Sequence, residues 1–184
     1  IPLGQLPPNV EPLNYRLDLT LNPDQLRYEG LVEIDIELKA PKREIYLHGK
    51  DLIVSKIVAR QSGRPDVRGT YTQVDPDGVA RLDFDQQLPS GIVTVSLPFS
   101  AAYETAPDAL TAQGEDGIRY VWTQFQEISA RRAFPSFDEP RFKTPFDISI
   151  THIGRHVAVS NTLPVTQETV AEGAFALLMA LFKR

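Results

Sequence analysis

An all-β fold, built as an antiparallel β-sandwich or as one large curved sheet, is predicted by three features of this sequence. Apolar residues recur at period two in segment after segment, the mark of strands with one face in a core and the other toward water. The breaks between segments carry Pro, Gly, Asn and Asp, the residues a reversing chain needs. No helical period appears before residue 170. Many short strands at such spacing give a sandwich or a curved sheet.

The first strand is predicted at Tyr15 to Leu21, where Tyr15, Leu17, Leu19 and Leu21 alternate with Arg16, Asp18 and Thr20. In the next, Val32, Ile34, Ile36 and Leu38 alternate with Glu33, Asp35 and Glu37. Strands follow at Glu44 to Leu47, Leu52 to Ala59 and Val79 to Phe84, and Val93, Val95, Leu97 and Phe99 repeat the alternation. Arg119 to Phe125, Phe146 to His152 and Val157 to Ser160 complete the set. Turns are predicted at Asn22-Pro-Asp24, Ala40-Pro-Lys42, Asp75-Pro-Asp-Gly78, Pro89-Ser-Gly91 and Gly114-Glu-Asp-Gly117. The longest irregular stretch, Ala101 to Gly117, reads as a loop over the surface.

From Ala174 to Phe182 the apolar residues at 174, 175, 178, 181 and 182 form a helical stripe ahead of Lys183 and Arg184. This predicts a short C-terminal helix with favourable charge at its end. Such a stripe is usually core; the alternative is a partner-binding or self-association surface. The organisation predicted is one β-domain over 1–170 and an atypical apolar tail over 171–184.

At 184 residues the chain can bury a core without disulfides or metals. Nineteen basic residues, dispersed among 24 acidic ones, leave no electrostatic footprint for nucleic acid or an anionic membrane. Zero cysteines exclude a disulfide framework and thiol chemistry and suit either redox compartment. No stretch approaches the ~20 apolar residues of a membrane-spanning helix, so no span is predicted.

The most informative segment is Trp122-Thr-Gln-Phe-Gln-Glu-Ile-Ser-Ala-Arg-Arg-Ala-Phe-Pro-Ser-Phe-Asp-Glu-Pro140, continued by Arg141-Phe-Lys143 and Phe146-Asp-Ile-Ser-Ile150. It resembles the signature of the amino-terminal domain of M1-family zinc aminopeptidases, T-Q-F-E, A-R-R-x-F-P-C-F-D-E-P and x-x-K-A, with a strand after it. Leu6 to Leu21 is similar to the family's opening, Tyr28-Glu-Gly30 to its F-x-G, and Ile45-Tyr-Leu-His48 to its I-x-L-H. From about Glu168 the likeness stops. The family's H-E-x-x-H zinc motif belongs to the next domain and does not occur in this sequence.

The resemblance implies a non-catalytic domain that holds no cofactor itself, with zinc in a following catalytic domain. Its implied partners are that domain and a peptide amino terminus, and a periplasmic or secreted location is favoured over a cytoplasmic one. It assigns substrate binding to Gln126 and Gln124. In the family the second position of Q-x-E reaches into the active site and accepts hydrogen bonds from the substrate α-ammonium. That position is Gln126 here, and an amide oxygen accepts without the charge-assisted strength of a carboxylate. The alternative function is a stand-alone β-sandwich interaction or scaffold module without catalysis, which the tail favours and the signature opposes.

Other residues invite chemistry that their surroundings argue against. Without the flanking signature, Thr123 to Gln126 would read as a polar strand face. Asp138 and Glu139 are adjacent, and Pro140 biases Glu139 toward extended backbone, so the two carboxylates point apart. Pairing with Arg131 and Arg132 at a braced turn is the expectation. Ser136 stands where the family has cysteine. Phe134 and Phe137, either side of Pro135, are expected to anchor this loop in the core. His152 and His156 have i, i+4 spacing, but Ile153 stands where a general-base Glu would be needed and Gly154 disfavours a helix, so no metal site is predicted. The position of a downstream ligand is Phe175. His48 is read as a strand-end residue.

Overall fold

The computed structural model describes residues 2, 4–115, 118–126, 128–152, 159–160 and 177–179. The alternating segments become long strands: β1 (Val10–Leu21), β2 (Arg27–Leu38), β3 (Lys42–His48), β4 (Ile53–Val54), β5 (Ile57–Arg60), β6 (Val67–Gln73), β7 (Val79–Leu88) and β8 (Gly91–Ala102). They are followed by β9 (Ala109–Glu115), β10 (Ile118–Gln124), a helical turn α1 (Ala130–Ala133), β11 (Phe146–His152), β12 (Val159–Ser160) and β13 (Leu177–Met179).

Nine strands form one sheet in the order β11-β1-β2-β8-β5-β6-β7-β3, with β4 also on β8; β12-β13-β10-β9 form a second. Among the described strands every pairing is antiparallel except β1 with β11, which run parallel, a departure from the antiparallel expectation. Register brings apolar positions to one face: Leu17 lies beside Val32 and Val32 beside Leu97, and all three are 1% exposed or less. Period-two alternation therefore produces a continuous inner wall.

The large sheet curls into a half-barrel. β3 and β1 stand far apart in strand order, yet His48 on β3 exchanges main-chain hydrogen bonds with Ser136 at 2.7 and 2.9 Å, and the next residue, Phe137, donates its N–H to the Tyr15 hydroxyl on β1 at 2.8 Å. Both ends of the sheet thus converge on one loop. Leu110 and Phe125, from and just after the β9–β10 hairpin, meet Leu17, Leu19 and Tyr28 of the inner wall.

On the outer face an ion-pair ladder crosses four strands. Arg16 donates to both oxygens of Asp35 at 2.7 and 2.9 Å and to Glu33 at 3.3 Å. Glu33 also accepts from Arg60 at 3.0 Å, and Asp35 from the Thr94 hydroxyl at 2.6 Å. The Arg16 guanidinium beside Asp35 holds its carboxyl below the usual range.

The expectations for residues 101–117 and 52–59 are corrected. The stretch 101–117 is not a surface loop throughout: β8 runs to Ala102, and β9 pairs along β10 with Thr111 fully buried. Ala109, Leu110 and Thr111 are all buried, so no alternation marks this strand. The strand predicted at 52–59 is broken into β4 and β5, where Lys56 adopts a positive φ of 53°. β6 was not anticipated, because a strand in which each residue is at least partly exposed lacks the apolar alternation that reveals a half-buried one. As for the C-terminal helix, most of its residues lie outside the described ones, but Leu177–Met179 form a strand whose Met179 and Leu178 pair with Val121 and Trp122.

Gly30 on β2 lies opposite Phe99 of β8. A Cβ there would come 2.5 Å from the Phe99 ring and 2.9 Å from the Asp18 carbonyl oxygen. Gly30→Ala is expected to destabilise the fold by ~1–3 kcal/mol through overpacking, read from urea melts; an unchanged midpoint would show that the ring moves aside freely.

Candidate functional site

The signature segment begins on a strand and ends in the core. Gln124 is the last residue of β10 and is exposed; Gln126, two residues on, is exposed as well. Phe125 between them is buried, and its ring meets Phe134 edge to face at 5.8 Å. An inward aromatic thus fixes the chain while the glutamines on either side face outward. Ile128 is half exposed, and the Ser129 N–H then returns to the Phe125 carbonyl at 3.1 Å to lead into α1.

Arg131, on α1, is 8% exposed. Its Nε donates to the Asp138 carboxylate at 3.0 Å, one terminal nitrogen to the Asp138 carbonyl at 3.0 Å and the other to the Asp77 carbonyl at 3.1 Å. Its backbone N–H donates to the same carboxylate at 3.2 Å. One guanidinium therefore joins the signature loop to the β6–β7 turn, using the planar fork that Lys lacks. Burial pushes the Asp138 carboxyl up despite this pairing. Arg132 pairs elsewhere than with Asp138 or Glu139: it donates to Glu104 at 2.6 and 3.0 Å. Glu139 instead accepts from the Leu6 N–H at 2.5 Å and from Arg141. The two adjacent carboxylates do face different partners.

The core side of the loop is aromatic and main chain. Phe134 and Phe137 are 3% and 5% exposed. Phe134 also meets Phe146, which stacks on Tyr15 at 4.3 Å, and Phe137 meets Phe142 at 5.8 Å. The buried Tyr28 hydroxyl donates to the Ala133 carbonyl at 2.7 Å, and burial raises the pKa of both Tyr15 and Tyr28. The Ser136 hydroxyl is buried with no hydrogen-bond partner among the described residues, as suits a pocket shaped for a less polar group. His48 ends β3, and its Nδ1 accepts from the Asp138 N–H at 3.2 Å, which fixes the neutral ring. Burial first, and the Arg131 charge second, lower its pKa to about 4.

Tyr15, Asp77 and Glu104 were not anticipated as partners of this loop. Tyr15 sits within the opening motif, but its hydroxyl lies 122 residues from Phe137 in sequence, and no local pattern links them. His152 ends β11, while His156 lies outside the described residues. Among the described residues no three His, Cys, Asp or Glu side chains gather in a way that could hold a metal.

The architecture is a curled, all-β half-barrel with an Arg–carboxylate-braced loop and two exposed glutamines leading into it. The chain belongs to the Peptidase M1 N-terminal domain family, whose model matches residues 11–177. It is 32% identical over 171 residues, 90% of its length, to aminopeptidase N of Acetobacter pasteurianus. It is 31% identical over 178 residues to endoplasmic reticulum aminopeptidase 1 of Rattus norvegicus, and 29% over 175 residues to aminopeptidase M1-C of Oryza sativa subsp. japonica, matching 92% and 91% of this chain. The chain spans 47% of the length of the first relative and 19% of each of the other two. The match extends over nearly all of the described strands, so the half-barrel is the fold of that N-terminal domain family.

Two outcomes follow from the buried loop. Phe137→Ala should cost ~3–5 kcal/mol in a urea melt, as for other buried aromatics, whereas Ser136→Ala should be neutral or stabilising because it removes an unpaired buried hydroxyl. A loss below ~0.5 kcal/mol for Phe137→Ala would mean that the ring does not brace the loop.

His48 gives a further outcome. Its folded pKa of about 4 lies below the ordinary 6.5, so between these values the unfolded chain binds the extra proton. Stability is therefore full above pH 6.5 and falls as the pH drops toward 4. Asp138, shifted upward, contributes with the opposite sign at low pH. Comparison with His48→Asn isolates the histidine: unfolding free energy of the variant should fall less steeply from pH 6.5 to 4, and an identical slope would contradict the buried neutral ring.

Proposed function

We propose that this chain is the non-catalytic amino-terminal domain of a zinc aminopeptidase that removes residues one at a time from free peptide amino termini. In this reading residues 1–170 form the wall of the substrate cleft, and Gln126, with Gln124, anchors the substrate α-amine. The observation that supports it is the outward placement of both glutamines around the buried Phe125. Polar side chains on a chain held so closely from behind can meet a ligand without first being ordered.

The Gln126 amide oxygen accepts a hydrogen bond from the ammonium, while its NH2 group cannot. The half-exposed Ile128 nearby supplies apolar surface for the partner catalytic domain. Zinc does not fit the described residues of this chain, so no step is assigned to it here. When bound in the catalytic domain it would polarise the scissile carbonyl and activate water. The chain alone is expected to bind no stoichiometric zinc and to cleave no chromogenic aminopeptidase substrate; chelator-sensitive turnover by the isolated chain would overturn this division of labour.

The deciding experiment joins the chain to a catalytic domain of the family and measures kcat/KM on free-amine substrates. Gln126→Ala should lose ~1–3 kcal/mol of transition-state stabilisation, about 5- to 150-fold, and Gln126→Glu should strengthen anchoring. An unchanged kcat/KM in a folded Gln126→Ala protein would make the residue an ordinary strand-face glutamine and return weight to a scaffold role.

A further inference from the structure

We propose that Arg132 is a positioning residue for the Gln124–Gln126 segment, a clamp that joins α1 to the 103–108 turn without touching substrate. The functional arm of this inference rests on the amine-anchoring reading; the structural arm does not.

α1 has four residues, no side-chain hydrogen bond at its N-cap Ser129 and no acidic residue in its first turn. A helix this short does not sustain itself. Tertiary contacts must therefore hold it where it follows Gln126. Arg131 faces the signature loop, its guanidinium committed to Asp138 and to the Asp77 carbonyl. The other side of α1 is held by Arg132. Its Nε and Nη2 converge on one oxygen of Glu104 at 3.0 and 2.6 Å, and its Nη1 lies 3.5 Å from the Asp108 carboxylate.

Glu104 and Asp108 bracket a tight turn. The Thr111 hydroxyl sits 2.8 Å from the Ala106 and Asp108 carbonyl oxygens and accepts from the Asp108 N–H at 3.2 Å. Glu104 is fixed further by main-chain bonds to Leu110 and Ala112 at 2.9 and 3.0 Å. The turn delivers the chain into Ala109 with φ of 47°, a left-handed conformation that a residue with a Cβ adopts only when its surroundings enforce it. Ala109 is the register partner of Gln124. The enforced backbone thus lies directly across from the first glutamine, and the helical turn that follows the second is tied to the same guanidinium.

Arginine suits this task because a planar fork reaches two carboxylates at once, while a lysine ammonium would serve chiefly one. All three side chains are about a third exposed, at 33%, 27% and 32%. Pairs at that depth contribute little to global stability, so loss of the clamp should act locally.

The structural test is hydrogen exchange on the full 184-residue chain. Arg132→Ala should speed exchange at Gln124, Gln126 and Ile128 by about tenfold or more while amides in β1 and β2 stay unchanged. Arg132→Lys should fall between, and the charge swap Glu104→Arg with Arg132→Glu should recover part of the protection. Unchanged exchange in Arg132→Ala, or a uniform rise across the whole sheet, overturns the proposal.

The functional test measures kcat/KM on the chain joined to a catalytic domain. Arg132→Ala should lower it by about tenfold when Gln126 is present and add no further loss in the Gln126→Ala background, as for two residues acting through one contact. Independent, additive losses would overturn the clamp. Should Gln126→Ala alone leave kcat/KM unchanged, the amine-anchoring reading fails, and the exchange measurement still decides whether Arg132 holds the segment.

Discussion

Closure of the half-barrel depends on the main chain of one loop. A nine-stranded sheet that stayed open would leave β3 and β11 as distant edges and its inner wall wet. Here His48 on β3 and Tyr15 on β1 both bond the Ser136–Phe137 backbone, so the sheet ends share a partner. The bonds are buried, and breaking one would leave an unpaired polar group in the core, a larger penalty than the modest net gain of making it. The loop that forms them is in turn held by Phe134 and Phe137 within the aromatic cluster.

The two adjacent arginines divide their work by direction. Successive residues on a helical turn project about 100° apart, so Arg131 and Arg132 face different neighbours. Arg131 ties the loop to the half-barrel through Asp138 and Asp77, and Arg132 ties it to the β8–β9 turn through Glu104 and Asp108. Burial separates their energetics as well. Removing one partner of the Arg131–Asp138 pair would strand a charge in the interior, whereas Arg132 and its carboxylates retain water.

This arrangement accounts for a rigid scaffold that carries a short exposed segment. The relatives match nearly the whole of this chain with only part of their own length. Under the proposed amine-anchoring role, Gln126 would offer a neutral acceptor that lacks the charge-assisted strength of a carboxylate.

The sequence by itself determined the all-β class, most of the large-sheet strands and the family, because alternation and the signature are local in the chain. It also determined that Asp138 and Glu139 would be paired apart, since Pro140 restricts the preceding backbone. Strands whose burial does not alternate, β6 and β9, escaped it. Tertiary structure alone decided that the sheet curls, that β1 and β11 run parallel, and that Arg132 chooses Glu104 over the nearer acidic residues of its own motif. Each of these depends on contacts between segments far apart in the chain, and what brings them together is the burial of a shared apolar face, which no local pattern encodes.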